Sequence, residues 1–158
     1  MKPTVYIETS VISYYCSRPS NNVVIAGHQQ TTYDWWENYK DYYDCYISNY
    51  VVTEISRGDL YASVKRLESV QGLPLLPISN ETDLLANLYF TELPIPEKSK
   101  VDAAHLAVAV HHNIDYIVSW NFKHIVNEHV RKLIEKINLE NNLKTPRILS
   151  PEELMEKP

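Results

Sequence analysis

The chain has 158 residues and a net charge of −5, with 44% hydrophobic and 22% charged residues. These values are typical of one soluble globular domain with a full core, and they exclude an intrinsically disordered chain. The negative charge argues against nucleic-acid affinity over the whole surface, so any such contact requires local basic patches.

Membrane and secretory destinations are not indicated by the sequence. No apolar run approaches the roughly 20 residues that a membrane-spanning helix needs. The N-terminus enters Val5-Tyr6-Ile7 without a signal segment, so we expect a cytoplasmic protein that does not contact a membrane. Cys16 and Cys45 have no partners at zinc spacing and are expected to be reduced thiols.

Short β-branched and aromatic runs alternate with longer helical patterns along the chain. Five strands are predicted, at Val5-Tyr6-Ile7, Cys45-Tyr46-Ile47, Leu75-Leu76, Tyr116-Ile117-Val118 and Arg147-Ile148-Leu149. Helices are predicted after Glu8 and at about residues 23–39, 51–55, 59–70, 80–88, 99–110 and 126–141. Pro94 and Pro96 mark a loop before the sixth helix, and Ser150-Pro151-Glu152-Glu153 predicts the start of a short last helix.

This alternation predicts an α/β fold with a mainly parallel sheet and helices on both faces. We expect residues 1–150 to form a single domain and residues 151–158 to form a short C-terminal helix or tail. In such a sheet, ligands bind at the carboxyl ends of the strands.

Four polar residues are the candidates for a site at that edge. Glu8 and Asn121 follow predicted strands, whereas Glu54 and Asp102 lie on predicted helices. Asp102 is the only acid in an otherwise apolar helix, and burying its carboxylate costs several kcal/mol unless a cation or hydrogen bonds compensate. Carboxylate oxygens without cysteine ligands favour Mg²⁺ or Mn²⁺.

Four segments carry a resemblance to a known family. They are Val5-Tyr6-Ile7-Glu8-Thr9-Ser10-Val11-Ile12-Ser13, Val51-Val52-Thr53-Glu54-Ile55, Val101-Asp102-Ala103-Ala104-His105-Leu106-Ala107-Val108-Ala109 and Ser119-Trp120-Asn121. In this order they resemble the four acidic motifs of PIN domains, and of the VapC-like toxin ribonucleases of type II toxin–antitoxin pairs in particular. The resemblance covers nearly the whole chain.

The resemblance implies a three-layer α/β/α sandwich with strand order 3-2-1-4-5 and an endoribonuclease activity. Glu8, Glu54, Asp102 and Asn121 would form the metal and catalytic site for Mg²⁺ or Mn²⁺, with Ser10 and Ser119 orienting the ligands. The implied partners are an RNA substrate, a cognate antitoxin and a second copy in a homodimer.

The sequence departs from the family pattern at two positions. Glu8 stands where Asp is commoner, and Asn121 stands in place of an acid, which favours one bound ion over two. An impaired PIN fold that binds RNA or protein without cutting is therefore the alternative. A flavodoxin-like or phosphotransfer module is a more remote one, because the three glycines form no phosphate loop.

Simpler explanations exist for each residue taken alone. Glu8 could be a helix N-terminal acid, Glu54 an exposed helix residue and Asp102 a helix cap.

The remaining candidates also have two interpretations. His105, His111 and His112 could be metal ligands but are more often hydrogen-bonded structural histidines, and His105, one turn from Asp102, could at most contact a substrate phosphate. The aromatic stretch of residues 33–50 could be core or a partner surface. Two sets of basic residues could contact RNA or simply be solvated: Arg57, Lys65 and Arg66, and Lys98, Lys100, Lys123 and His124.

Overall fold

Four short parallel strands lie at the centre of the computed structural model, which describes all 158 residues. They are β1 (Thr4–Ile7), β2 (Asp44–Tyr46), β3 (Tyr116–Val118) and β4 (Arg147–Leu149), in the order β2-β1-β3-β4. In register, Tyr6 lies between Tyr46 of β2 and Ile117 of β3. The carboxyl ends of β1 and β3 are therefore neighbours at one edge of the sheet.

The predicted third strand, Leu75-Leu76, is reduced to a single parallel bridge between Ile47 and Leu75. The backbone N–H of Leu76 donates to Ile47 (2.8 Å), and that of Ile47 donates to Pro74 (3.1 Å). Pro74 and Pro77 bracket this segment, and proline has no N–H with which to extend a ladder. Because the bridge lies beyond β2, the predicted order 3-2-1-4-5 is confirmed with its third member shortened.

Seven α-helices connect and flank the strands, as the sequence predicts. They are α1 (Thr9–Cys16), α2 (Val23–Asn38), α3 (Asn49–Ile55), α4 (Leu60–Ser69), α5 (Asn80–Glu92), α6 (Val101–His111) and α7 (Glu128–Glu140). Three 3₁₀ turns are also present, at Lys40–Tyr42, Glu97–Ser99 and Pro151–Leu154, and the last takes the place of the predicted final helix. None of the helices combines the length and apolar character needed to cross a bilayer.

Burial of β1 shows that both faces of the sheet are covered. Val5, Tyr6 and Ile7 are all fully buried, and consecutive strand residues point to opposite faces. A parallel sheet buried in this way needs helices on both sides. The expected three-layer α/β/α architecture is confirmed.

Helix α6 is buried along almost its entire length, from Asp102 to Val110. Its four alanines, at positions 103, 104, 107 and 109, leave room for α5 to pack closely along it. Asp102 and His105 are thus polar side chains held on a rigid core helix. Their placement is set by core packing and not by a flexible loop.

Most of the aromatic stretch of residues 33–50 belongs to the core. Trp35 is fully buried, and Trp36 and Tyr43 are almost so. Tyr33 and Tyr42 are its exposed large side chains. The interpretation of this stretch as a partner surface is therefore wrong for its buried members.

Candidate metal centre

Glu8, Glu54 and His105 meet at the carboxyl edge of the sheet. One carboxylate oxygen from each glutamate and one ring nitrogen of His105 all lie within 4.8 Å of one another. Asp102 is not in this group, but it lies three residues before His105 on α6 and hence on the same helix face. Its charge also acts on the His105 ring, as described below.

Glu8 is buried and held by hydrogen bonds from two elements. The hydroxyls of Ser10 and Ser119 each donate to Oε1 at 2.5 Å, and the backbone N–H of Ser10 donates to Oε2 at 3.1 Å. The two serine oxygens in turn accept from the backbone N–H groups of Trp120 (2.8 Å) and Asn121 (2.9 Å). Glu8 therefore caps α1, as the simpler explanation expected, and also presents its carboxylate in the group of potential ligands.

Glu54 ends a chain of hydrogen bonds that begins inside the sheet. Its Oε1 accepts from Thr9 Oγ1 (2.6 Å) and from Nε2 of His105 (2.5 Å). Nδ1 of His105 lies 2.6 Å from the Tyr6 hydroxyl, which is 2.8 Å from Ser48 Oγ. Glu54 is consequently not the freely exposed helix residue of the simpler explanation, because its side chain is only 24% exposed and is fixed from two sides.

The pKa values of this pair favour the charged forms. Burial by itself raises the pKa of Glu54, but the hydrogen bond and charge of His105, together with Thr9, outweigh it and lower the pKa below its ordinary value. Burial likewise lowers the pKa of His105, yet the bond to Glu54 and the charges of Glu8, Glu54 and Asp102 leave it raised. In the absence of a cation, His105 is thus the counter-charge of Glu54.

Asp102 is paired with a different histidine. Its Oδ2 accepts from Nδ1 of His124 at 3.0 Å, and it makes no helix-capping bond in α6. Burial raises the pKa of Asp102 above its ordinary value, against the opposing effects of Asn121, His105 and His124. A nearby divalent cation would favour the ionised carboxylate.

Asn121 lies beside Asp102 in the turn that follows β3. Its Oδ1 already accepts from the backbone N–H of His124 at 3.1 Å. The amide therefore fixes this turn, has one lone pair left for a ligand and adds no negative charge.

A divalent cation fits this donor set. Glu8, Glu54 and Asp102 are buried or partly buried, and none of them forms an ion pair with lysine or arginine. Several carboxylates removed from water in this way require positive charge, and histidines supply only part of it. Oxygen ligands of this type suit Mg²⁺ or Mn²⁺.

Of the residues predicted to contact substrate, some are exposed and others are used inside the fold. His105 is fully buried and both of its ring nitrogens have partners, so its position does not fit a contact with substrate phosphate. Lys98 and Lys123 are exposed on the segments before α6 and after β3. Arg66 is used internally, because its guanidinium donates to the backbone oxygens of Ile55 (3.0 Å) and Arg57 (2.6 Å).

Sequence reasoning missed the ligand-holding roles of His105, His124, Tyr6 and Thr9. The three-residue spacing of Asp102 and His105 was the available signal, since it puts both on one face of a helix. Tyr6 gave no signal, because a tyrosine in a predicted strand is ordinary core.

The chain was then compared with known proteins. The PIN domain family model matches residues 5–123, from the first strand to the turn after β3. This match covers well over half of the chain, so the chain belongs to the PIN domain family. PIN domains are typically nucleases that use divalent metal ions and act on RNA. Searches of curated proteins and of solved structures gave no match.

Metal binding should stabilise the fold. Saturating Mg²⁺ or Mn²⁺ should raise the Tm by about 5 °C or more, because a ligand at about 100 times its Kd adds ~2.7 kcal/mol to the native state. Glu54→Gln and Asp102→Asn should lose most of this rise, whereas Asp41→Asn, whose side chain is 92% exposed, should keep it.

Differential scanning fluorimetry measures each effect. A wild-type melting curve that does not respond to metal would contradict the metal centre. A full response in Asp102→Asn would remove that residue from it.

The buried chain behind Glu54 should also tune metal affinity. Tyr6→Phe removes the hydroxyl between Ser48 and His105, so the ring loses its support and Mn²⁺ binding should weaken about tenfold or more. Tyr46→Phe is the matched control, because Tyr46 is paired with Tyr6 in the sheet register and belongs to no hydrogen bond of this centre. Calorimetric titration with Mn²⁺ measures both, and equal affinities would show that the chain has no such role.

Proposed function

We propose that this protein is an endoribonuclease that hydrolyses RNA phosphodiester bonds with Mg²⁺ or Mn²⁺ held by Glu8, Glu54 and Asp102. The observation that carries the proposal is the meeting of Glu8, Glu54 and His105 at the carboxyl edge of a PIN fold, with Asp102 on the same helix as His105. None of the three acids pairs with lysine or arginine, and the histidines neutralise only part of their charge, so the remaining repulsion costs stability unless a cation is bound.

The residues that contact the three acids position them for the reaction. Ser10 and Ser119 hold Glu8, and His105 and Thr9 hold Glu54, so both carboxylates keep one orientation. His124 does the same for Asp102. Rigid ligands of this kind lower the reorganisation that the transition state requires.

A bound divalent ion supplies an activated water and neutralises charge on the scissile phosphate. Because Asn121 brings no charge and one of its lone pairs is used by His124, we infer a single ion held mainly by the three acids. Lys123, exposed two residues after Asn121, and Lys100, exposed two residues before Asp102, are the cations closest along the chain for a flanking phosphate.

The second candidate is a PIN fold that binds RNA or protein without cutting. The neutral Asn121 favours it, since a centre with one acid fewer binds metal more weakly. The two candidates predict different behaviour when that charge is restored.

Cleavage by purified protein distinguishes them. Asp102→Asn should reduce RNA cleavage by at least about 100-fold, because even residues that only orient metal ligands cost 10–100-fold. Asn121→Asp adds a carboxylate and should lower the Mg²⁺ concentration needed for half-maximal rate. Asp41→Asn controls for the loss of one negative charge far from the site.

Rates would be measured on single-stranded RNA across Mg²⁺ and Mn²⁺ titrations. An inert wild type with an active Asn121→Asp would favour the binding protein. Undiminished cleavage by Asp102→Asn would show that the active site lies elsewhere.

We further infer that the chain is the toxin of a type II toxin–antitoxin pair, acting in the cytoplasm as a homodimer. Two free cysteines are compatible with a reducing compartment. Helix α4 presents three exposed apolar side chains close together, Leu60 (77%), Tyr61 (74%) and Val64 (44%), which is the kind of patch that interfaces cover. A small acidic or amphipathic protein encoded beside this gene would support the antitoxin.

The homodimer can be tested on the α4 patch. Light scattering at tens of micromolar should give the mass of two chains, and Tyr61→Lys should shift it to one, because a buried lysine opposes association. Leu84→Lys, at a side chain on α5 that is 70% exposed, is the matched control. A monomeric wild type would remove the dimer from the proposal.

A further inference from the structure

Three aromatic rings form a cluster next to the metal centre. The ring of His28, on α2, stacks on Trp120 with centroids 4.2 Å apart and an angle of 17°. Phe122 completes the cluster, at 5.8 Å from His28 in a tilted arrangement and at 5.9 Å from Trp120 in an edge-to-face arrangement. The metal centre uses none of these side chains.

The cluster has a buried base and an exposed top. Trp120 is 5% exposed, and its indole N–H donates to Thr32 Oγ1 at 2.7 Å. Phe122, in contrast, is 47% exposed. Other aromatic side chains of the chain are exposed as well, but Phe122 differs because two further aromatic rings pack against it beside the residues that hold Glu8.

Backbone hydrogen bonds fix Phe122 relative to Glu8. The Ser10 hydroxyl donates to Glu8 and accepts a hydrogen bond from the backbone N–H of Trp120. Phe122 follows Trp120 by two residues. The N–H of Phe122 donates to Trp120 (2.9 Å), and its carbonyl accepts from Asn127 Nδ2 (2.8 Å). Both backbone polar groups of Phe122 are therefore hydrogen-bonded, which holds the turn that carries the ring.

We propose that Phe122, supported by His28 and Trp120, is a stacking platform for an unpaired base of an RNA strand that passes through the metal centre. This inference rests on the proposed nuclease function and names the form of its substrate, a single strand. Unpaired bases stack on aromatic side chains, whereas the bases of a duplex are already stacked on each other.

The charges around the ring favour RNA over a protein partner. Lys123, the next residue, is exposed and can pair with a phosphate next to the stacked base. The carboxylate centre, joined to Trp120 through Ser10, would hold a cation that a phosphate can share. An exposed ring close to an exposed lysine and to a metal centre provides what a stacked base and its phosphates need.

Binding is measured by fluorescence anisotropy with a labelled single-stranded RNA, using Ca²⁺ as the divalent ion. Phe122→Leu keeps an apolar side chain but removes the ring, and it should weaken binding by about 5-fold to about 100-fold. Phe122→Trp should restore it. Tyr42→Leu, at a 38% exposed ring near the amino ends of the strands, should bind like wild type.

A base-specific readout separates stacking from general apolar contact. A set of RNAs is made in which each carries one abasic nucleotide, at a different position. One of them should bind the wild-type protein more weakly, by a factor similar to that of Phe122→Leu with intact RNA. The Phe122→Leu variant should bind this RNA as well as it binds intact RNA. In cleavage with Mg²⁺ or Mn²⁺, Phe122→Leu should raise KM more than it lowers kcat.

Unchanged RNA affinity in Phe122→Leu, or wild-type protein that binds no single-stranded RNA, would overturn the platform. Altered self-association of this variant with unaltered RNA binding would identify a protein contact instead and would also overturn it. RNA binding that depends on Phe122 without any cleavage would contradict the nuclease function and support the platform. Cleavage with the same KM in wild type and Phe122→Leu would support the nuclease function and contradict the platform.

Discussion

A carboxylate removed from water costs several kcal/mol unless hydrogen bonds or a cation compensate, and three such groups govern the structure around the end of β1. Each receives a different solution. Glu8 accepts from two hydroxyls and a backbone N–H, Glu54 faces a fully buried histidine, and Asp102 faces a mostly buried one. The hydrogen bonds orient all three, but they do not neutralise the total charge.

The parallel sheet explains why these groups meet at all. Adjacent β1 and β3 end at the same edge, so the residues just after them are neighbours although they are 111 positions apart. Helices α3 and α6 then bring Glu54 and His105 to that edge from the flanking layers. Core packing of α6 fixes the histidine, which in turn holds Glu54 in one orientation.

Much of this arrangement could be predicted from the sequence, and the reasons are local. The parallel sheet followed from the alternating elements, its strand order from the family resemblance, and the acids from their places at strand ends and on helices. The shortened third strand was harder, because the effect of Pro74 and Pro77 depends on which N–H groups the ladder needs. The Tyr6 to His105 contact joins residues 99 positions apart, and only the folded packing creates it.

The pairing of Glu54 with His105 has a consequence for how such a chain can change over time. If catalysis were lost, an uncharged residue at position 54 would remove the hydrogen bond and charge that raise the pKa of His105 against the opposing effect of burial. The buried ring would then lose the partner that fixes Nε2, so Glu54 has a structural role even where no ion is bound. Its presence in a non-cutting descendant would say nothing about activity, and the same holds for Asn121, whose amide oxygen fixes the turn after β3.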